Sequence, residues 1–188
     1  MLKKLVGIGI ALLCMPMFAF AQVAPATRGG GLDLWVGAEY SNFKPDFGFN
    51  RLSGITVLGD LNNIVLHNLG AEGEARWLHF NQYQGETQAN YLIGPRYRFF
   101  YFRKASFYGK FLMGGGFMNF PAEAGSGSYF AYAPGATVEY RLSHHWAARG
   151  DYEYQFWPAA PGLAFTFPKP SSGLTPNGFS VGVSYRIF

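Results

Sequence analysis

The stretch WAARGDYEYQF, residues 146–156, decides the fold. One parity gives Trp146, Ala148, Gly150, Tyr152, Tyr154 and Phe156; the other gives Ala147, Arg149, Asp151, Glu153 and Gln155. Alternation with period two predicts a strand with one apolar and one polar face. The asymmetry of size is as informative as the alternation. Bulky rings fill the apolar parity, whereas the polar parity mixes charges with small residues. In a closed barrel the inner side is crowded and the outer side is not. Rings outside, with small and charged residues inside, predict a barrel whose outer wall meets lipid.

Working outward, the same split recurs near residues 32–43, 55–63, 69–80, 89–100, 107–118, 129–142 and 178–188. The prediction is therefore all-β: an eight-stranded antiparallel up-and-down transmembrane β-barrel over residues 32–188. The second strand is the weakest, because Leu58 interrupts its polar face. Connections after the second, fourth and sixth strands are short, near His67-Asn68, residues 103–106 and residues 143–145. Those after the odd-numbered strands are longer, at 44–54, 81–88, 119–128 and 157–177. Short turns at one rim and long loops at the other are the layout of an outer-membrane barrel, with the long loops outside the cell. Tilted strands of about 10 residues match the apolar thickness of a bilayer. Pro95 and Pro134 run against the pattern, since each removes a ladder hydrogen bond unless it stands at a bulge or near a rim.

The N-terminus predicts export. Lys3 and Lys4 precede an apolar stretch over 5–18, followed by Ala19-Phe20-Ala21-Gln22. A basic start, a short apolar core and an A-x-A site predict a signal peptide over residues 1–21, cut after Ala21. Pro16 and the shortness of the stretch argue against a spanning helix, which needs about 18 apolar residues or more. Residues 22–31 read as a flexible lead-in. Cys14 lies within the signal and follows Leu13, which does not suit lipid attachment. With no other cysteine in the chain, neither a disulfide nor thiol chemistry is expected.

Removing 21 of 188 residues leaves 167, and losing Lys3 and Lys4 takes the net charge from +4 to +2. No charge run suggests nucleic acid. Aromatic content of 19% with only 14% charged residues does not suit an ordinary soluble surface.

The polar parity carries Asp33, Glu39, Glu72, Glu74, Glu139, Asp151 and Glu153 against Arg76, Arg96, Arg98, Lys110, Arg141, Arg149 and Arg186. Charges turned into a narrow barrel must pair, because an unpaired buried ion costs several kcal/mol. A lumen ion-pair network is predicted from Glu72, Glu74, Arg76, Arg96, Arg98, Glu139, Arg141, Arg149, Asp151 and Glu153. Trp35, Trp77, Tyr97, Trp146, Tyr154 and Phe156, with Trp157, are expected as interface aromatics at the two membrane surfaces.

The ending Val181-Gly182-Val183-Ser184-Tyr185-Arg186 resembles the last strand of the OmpA-type eight-stranded outer-membrane barrels. The run Gly135-Ala136-Thr137-Val138-Glu139-Tyr140-Arg141-Leu142, followed by a turn and residues 146–154, is similar to strands of the same family. The resemblance covers the mature chain in strand count and loop rhythm, and the last three strands in motif. The periplasmic domain that some relatives carry is not expected, since the sequence ends at Phe188. The resemblance implies insertion by the barrel-assembly machinery, with Tyr185 and Phe188 as the assembly signal. Arg186 stands where such strands usually carry an aromatic, two residues before the final Phe188.

The expected role is structural or surface display, with a largely closed lumen and loops available for adhesion or ligand contact. The expected partner is outer-membrane lipid. No cofactor, metal site or nucleic-acid partner is expected. One alternative is a small channel of passive transport, its barrier set by the ion pairs. Another is a lipid A-modifying enzyme, for which Ser143-His144-His145 is the one local nucleophile–base candidate. That triplet falls in a short turn, and His67 and His79 are isolated, so no enzyme activity is expected. A lipocalin-like soluble barrel would turn the rings inward and overfill its interior.

Overall fold

The computed structural model describes residues 31–46, 50–64, 68–123, 125–161 and 172–188. The signal segment with Cys14, residues 22–30 of the lead-in, His67, and Phe165 and Phe167 of the last long loop lie outside the described residues.

Among the described residues ten strands follow one another. They are β1 (Asp33–Lys44), β2 (Leu52–Asn62), β3 (Leu69–Phe80), β4 (Thr87–Phe102), β5 (Ala105–Asn119), β6 (Ser126–Arg141), β7 (Trp146–Tyr154), β8 (Trp157–Pro161), β9 (Ser172–Leu174) and β10 (Asn177–Arg186). Eight of them close a barrel in the order β1-β10-β7-β6-β5-β4-β3-β2, every neighbour antiparallel. Closure runs through β1 and β10, from Trp35↔Arg186 to Lys44↔Asn177. Pairing continues past the end of β10, where Ile187 N donates to Leu34 O and Leu34 N to Phe188 O. A closed ladder leaves no open sheet edge, which is what a spanning sheet requires.

The faces divide as the alternation predicts. On β7, Tyr152 is 52% exposed on the outer wall, while its neighbour Asp151 is 6% exposed in the interior. The same wall carries Val36, Tyr40, Ile93, Phe111, Phe130, Val138, Val181 and Val183. Such an apolar exterior would be untenable in water and is the expected surface against hydrocarbon.

Three departures from simple alternation have local causes. β2 begins at Leu52 rather than near residue 55, with Leu52 and Ser53 both buried, and the β2–β3 register shifts between Ser53↔Phe80 and Gly54↔Leu78, where β3 carries the extra residue His79. Leu58 does face inward, buried, in the space that side-chain-free Gly37 leaves; a Cβ at Gly37 would lie 3.1 Å from its Cδ1. The last long connection, read as irregular loop, contains a separate ribbon of β8 and β9. The two prolines stand on the outer parity, each where a ladder is interrupted. The β4–β5 pairing passes from Ile93↔Met113 directly to Arg96↔Lys110 around Pro95. Between Gly135↔Glu153 and the single bridge Tyr132↔Phe156, the β6–β7 pairing skips Pro134.

Candidate functional site

The interior is filled by two layers of opposite chemistry. Toward the short-turn rim lies an ion-pair layer built from inward residues of seven strands. Arg149 on β7 reaches Glu39 on β1 at 2.9 Å, Glu72 on β3 at 2.7 Å and Glu139 on β6 at 3.3 Å. It also pairs with Asp60 on β2 and with Asp151 on its own strand. Arg96 on β4 pairs with Asp60 and, at 2.7 Å, with Glu139, and its guanidinium lies 3.8 Å from the centre of the Tyr108 ring. Lys110 on β5 contacts Glu72, Glu74, Asp151 and Glu153 at 2.9 to 3.4 Å. Gly135 gives this ammonium its space, since a Cβ there would come within 2.9 Å of Lys110 Cε. Arg76 closes the layer with bonds to Glu74 and Glu153 and a stack over Phe43 at 4.0 Å.

A hydroxyl cluster adjoins the ion pairs. Ser41 Oγ lies 2.6 Å from Thr56 Oγ1 and 2.7 Å from Ser180 Oγ, and Arg76 Nε donates to Thr56 Oγ1. Single charges in such a lattice cannot be removed cheaply. Deleting one partner of a buried pair leaves the other unscreened, at about 3–5 kcal/mol.

Toward the long-loop rim the interior becomes apolar. Leu92, Leu112, Met118, Ala133, Trp157 and Leu174 are all buried in one cluster, with β8 and β9 supplying Trp157 and Leu174. The indole lies over β5 because residue 116 is glycine; a Cβ there would come within 2.5 Å of the ring. Its Nε1 donates to Gln155 Oε1, which also accepts from Asn90 Nδ2. Gln155 Nε2 in turn donates to Glu153, joining the apolar cap to the ion pairs. The ribbon is fastened at its foot by Gln155 N donating to Pro176 O. At the outer edge of this rim Glu86 is buried without a hydrogen-bond partner for either carboxylate oxygen, and burial pushes its carboxyl up to about 7.

The buried layer differs from the predicted network at five residues: Glu39, Asp60 and Lys110 join it, and Arg98 and Arg141 do not. Asp60, absent from the expectation, is fully buried and joins Arg96 to Arg149. Its inward parity is visible in the sequence, but Leu58 on the same parity masks the polar face it belongs to. Arg98 and Arg141 do not enter the buried layer: Arg98 is half-buried at the short-turn rim, donating to Asn68 Oδ1, and Arg141 is exposed. Both lie beyond the last turn of inward residues that neighbouring strands cover. Asp33 and Arg186 form a pair of their own at that rim, at 2.6 Å. Among the described residues the layer thus holds seven carboxylates and four cations, where the predicted network has five of each.

The aromatic expectations divide as well. Tyr97, Trp146 and Phe156 are exposed on the outer wall, and Trp77 and Tyr154 are half-buried there, with Trp77 Nε1 donating to Tyr91 OH. Trp35 is 4% exposed and faces inward, on the same parity as Asp33 and Glu39, so it is no interface residue. Trp157 is likewise interior. Tyr185 packs on the outer wall against Trp146 and the His145 ring, and Phe188 is exposed at the end of the chain. Ser143 Oγ accepts the backbone N–H groups of His145 and Trp146, and His145 Nδ1 lies 3.3 Å from Arg186 O. Those contacts hold a turn together; they do not aim a hydroxyl at an imidazole.

No curated protein matches the chain in sequence. Among solved structures it is similar to Ail, the attachment invasion locus protein of Yersinia pestis, in complex with the heparin analogue sucrose octasulfate. That match has 18% identity and a TM-score of 0.50, covering 83% of this chain and 97% of the other. It is also similar to Neisserial surface protein A, at 9% identity and a TM-score of 0.56, covering 82% and 96%. OprG of Pseudomonas aeruginosa matches at 10% identity and a TM-score of 0.51, covering 83% and 96%. At such identities the likeness is one of fold. The model for the outer membrane protein beta-barrel domain matches residues 10–186, nearly the whole chain. A lipid-facing wall, a closed eight-stranded ladder and that match agree: the chain belongs to the outer membrane protein β-barrel family.

Proposed function

We propose that this protein is a non-conducting surface barrel, a structural and display element whose long connections face the exterior. The observation that carries the reading is the double closure of the lumen by interlocked ion pairs and by the apolar cap under β8 and β9. A pore needs a continuous polar path wide enough for hydrated solute. Here four cations interlock seven buried carboxylates across the lumen, and the opposite mouth is filled by Trp157 and its neighbours. Export is served by residues 1–21, and insertion by the barrel-assembly machinery with Tyr185 and Phe188 at the terminal strand. The loops supply the contact surface for adhesion or a ligand, on a wall anchored in outer-membrane lipid. No step of this role calls on catalysis by Ser143, His144 or His145.

Orientation is tested by labelling intact cells with a membrane-impermeant maleimide. Tyr83→Cys, in an exposed long-loop position, should label. Lys104→Cys, exposed in the turn between β4 and β5, should label only after the outer membrane is permeabilised. The reverse pattern would overturn the display reading.

A further inference from the structure

The short-turn rim carries a surface that the closed barrel does not need. β4 and β5 run on to Phe102 and Ala105, and a bulge between Arg98 and Phe100 breaks the alternation there. As a result Phe99, Phe100, Tyr101 and Phe102 are all between 52% and 61% exposed. A run of four exposed aromatics on one hairpin is stable only where an apolar phase meets a polar one. The Phe100 ring packs on Phe107 of the outer wall, 5.5 Å between centres, so this belt continues the lipid-facing surface.

Beside these rings lies a groove lined by Asn68, Arg98, Phe99, Phe100, Tyr101 and Arg141. Two guanidiniums from different strands therefore share a groove walled by aromatic rings. The backbone ties the parts together: Arg141 N donates to Lys104 O, and Arg98 N to Asn68 O, both at 2.8 Å. Arg103 and Lys104 form the tip of the same hairpin. Of the acids near this rim, Asp33 is held by Arg186, and Glu139 by Arg96 and Arg149. The groove is thus cationic where the barrel leaves the bilayer, and apolar immediately below.

We propose that the Arg98–Arg141 groove binds the phosphate of an anionic phospholipid in the inner leaflet of the outer membrane, with its acyl chains along Phe99 and Phe100. The guanidiniums meet the phosphate in the paired geometry that arginine favours. The hairpin tip adds attraction to the leaflet's negative surface. This rests on the orientation given under Proposed function, which the maleimide labelling tests separately.

Native mass spectrometry of the refolded mature barrel, released from detergent with phosphatidylglycerol or phosphatidylcholine of identical chains, tests the site. Phosphatidylglycerol should be retained preferentially, and Arg141→Gln should weaken its retention roughly five-fold. Arg141 is exposed, so this variant keeps the fold, which heat-modifiable migration checks. Arg98→Gln should act in the same direction, and Arg51→Gln, exposed at the opposite rim, should leave retention unchanged. Equal retention of the two lipids by the unaltered protein would overturn the proposal. So would retention unmoved by either groove variant, or lowered as much by Arg51→Gln. Binding of soluble glycerol phosphate as tight as that of the lipid would also contradict it, by assigning a site for free anions.

Discussion

The two halves of the lumen close it by different physics. The ion-pair layer is directional: Arg149 touches five carboxylates, and each contact depends on where a strand places its partner. The apolar cap is a matter of volume, in which Trp157 fills space that Gly116 leaves open and packs in one cluster with Leu112 and Leu174. Charge lattices fail at once when a member is lost, because the survivors stay buried. Apolar packing fails in proportion to the atoms removed, since neighbours collapse into part of the gap.

Breaking each half should expose that contrast. The largest effect is expected for Arg149→Gln, which strands Asp60, Glu39 and Glu72. It should cost about 4 kcal/mol in urea unfolding from lipid vesicles. Leu112→Ala, which opens the cap without touching a charge, should cost about 3 kcal/mol in the same assay. Its cost should also fall when a larger side chain is restored, as no neutral replacement at Arg149 would achieve. Gly116→Ala should cost about 1–2 kcal/mol by overpacking against the indole, and tryptophan emission should report a displaced Trp157.

The smallest effect concerns Glu86, outside the spanning strands. Burial lifts its carboxyl from 4.5 to about 7. A group whose folded value lies above its unfolded one gives stability that is complete below about pH 4.5 and is lost as pH rises through about 7. The protection of amides in the connection 81–86, taken relative to their intrinsic exchange, should therefore fall across that window. Glu86→Gln, which stays neutral, should remove the dependence.

Much of this architecture was legible in the sequence, and the exceptions share a cause. Alternation in residues 147–153 reports both the strand and its orientation, because each residue there is paired on both sides in an uninterrupted ladder. Where a bulge adds a residue, as at Ser53/Gly54 and Arg98/Phe100, parity ceases to report the face. At the second of these, Phe99 and Phe100 both meet the exterior, whereas Asp60 is masked only by Leu58 on its own parity. Arg98 and Arg141 keep their inward parity and differ for another reason: parity fixes the side of the wall, not the depth within it. Trp35 shows the limit of composition, since a ring near a strand end suggests an interface until its parity with Asp33 is followed. The β8–β9 ribbon and its descent into the barrel mouth carry no period at all. They depend on a glycine forty-one positions before Trp157 in the chain, a relation that only the folded ladder brings together.

The central claim, a lumen closed twice over, is tested most directly by current recording across a planar bilayer holding the refolded protein. The account predicts no steady conductance at moderate voltage and salt. Stable ohmic steps that scale with salt concentration would contradict it.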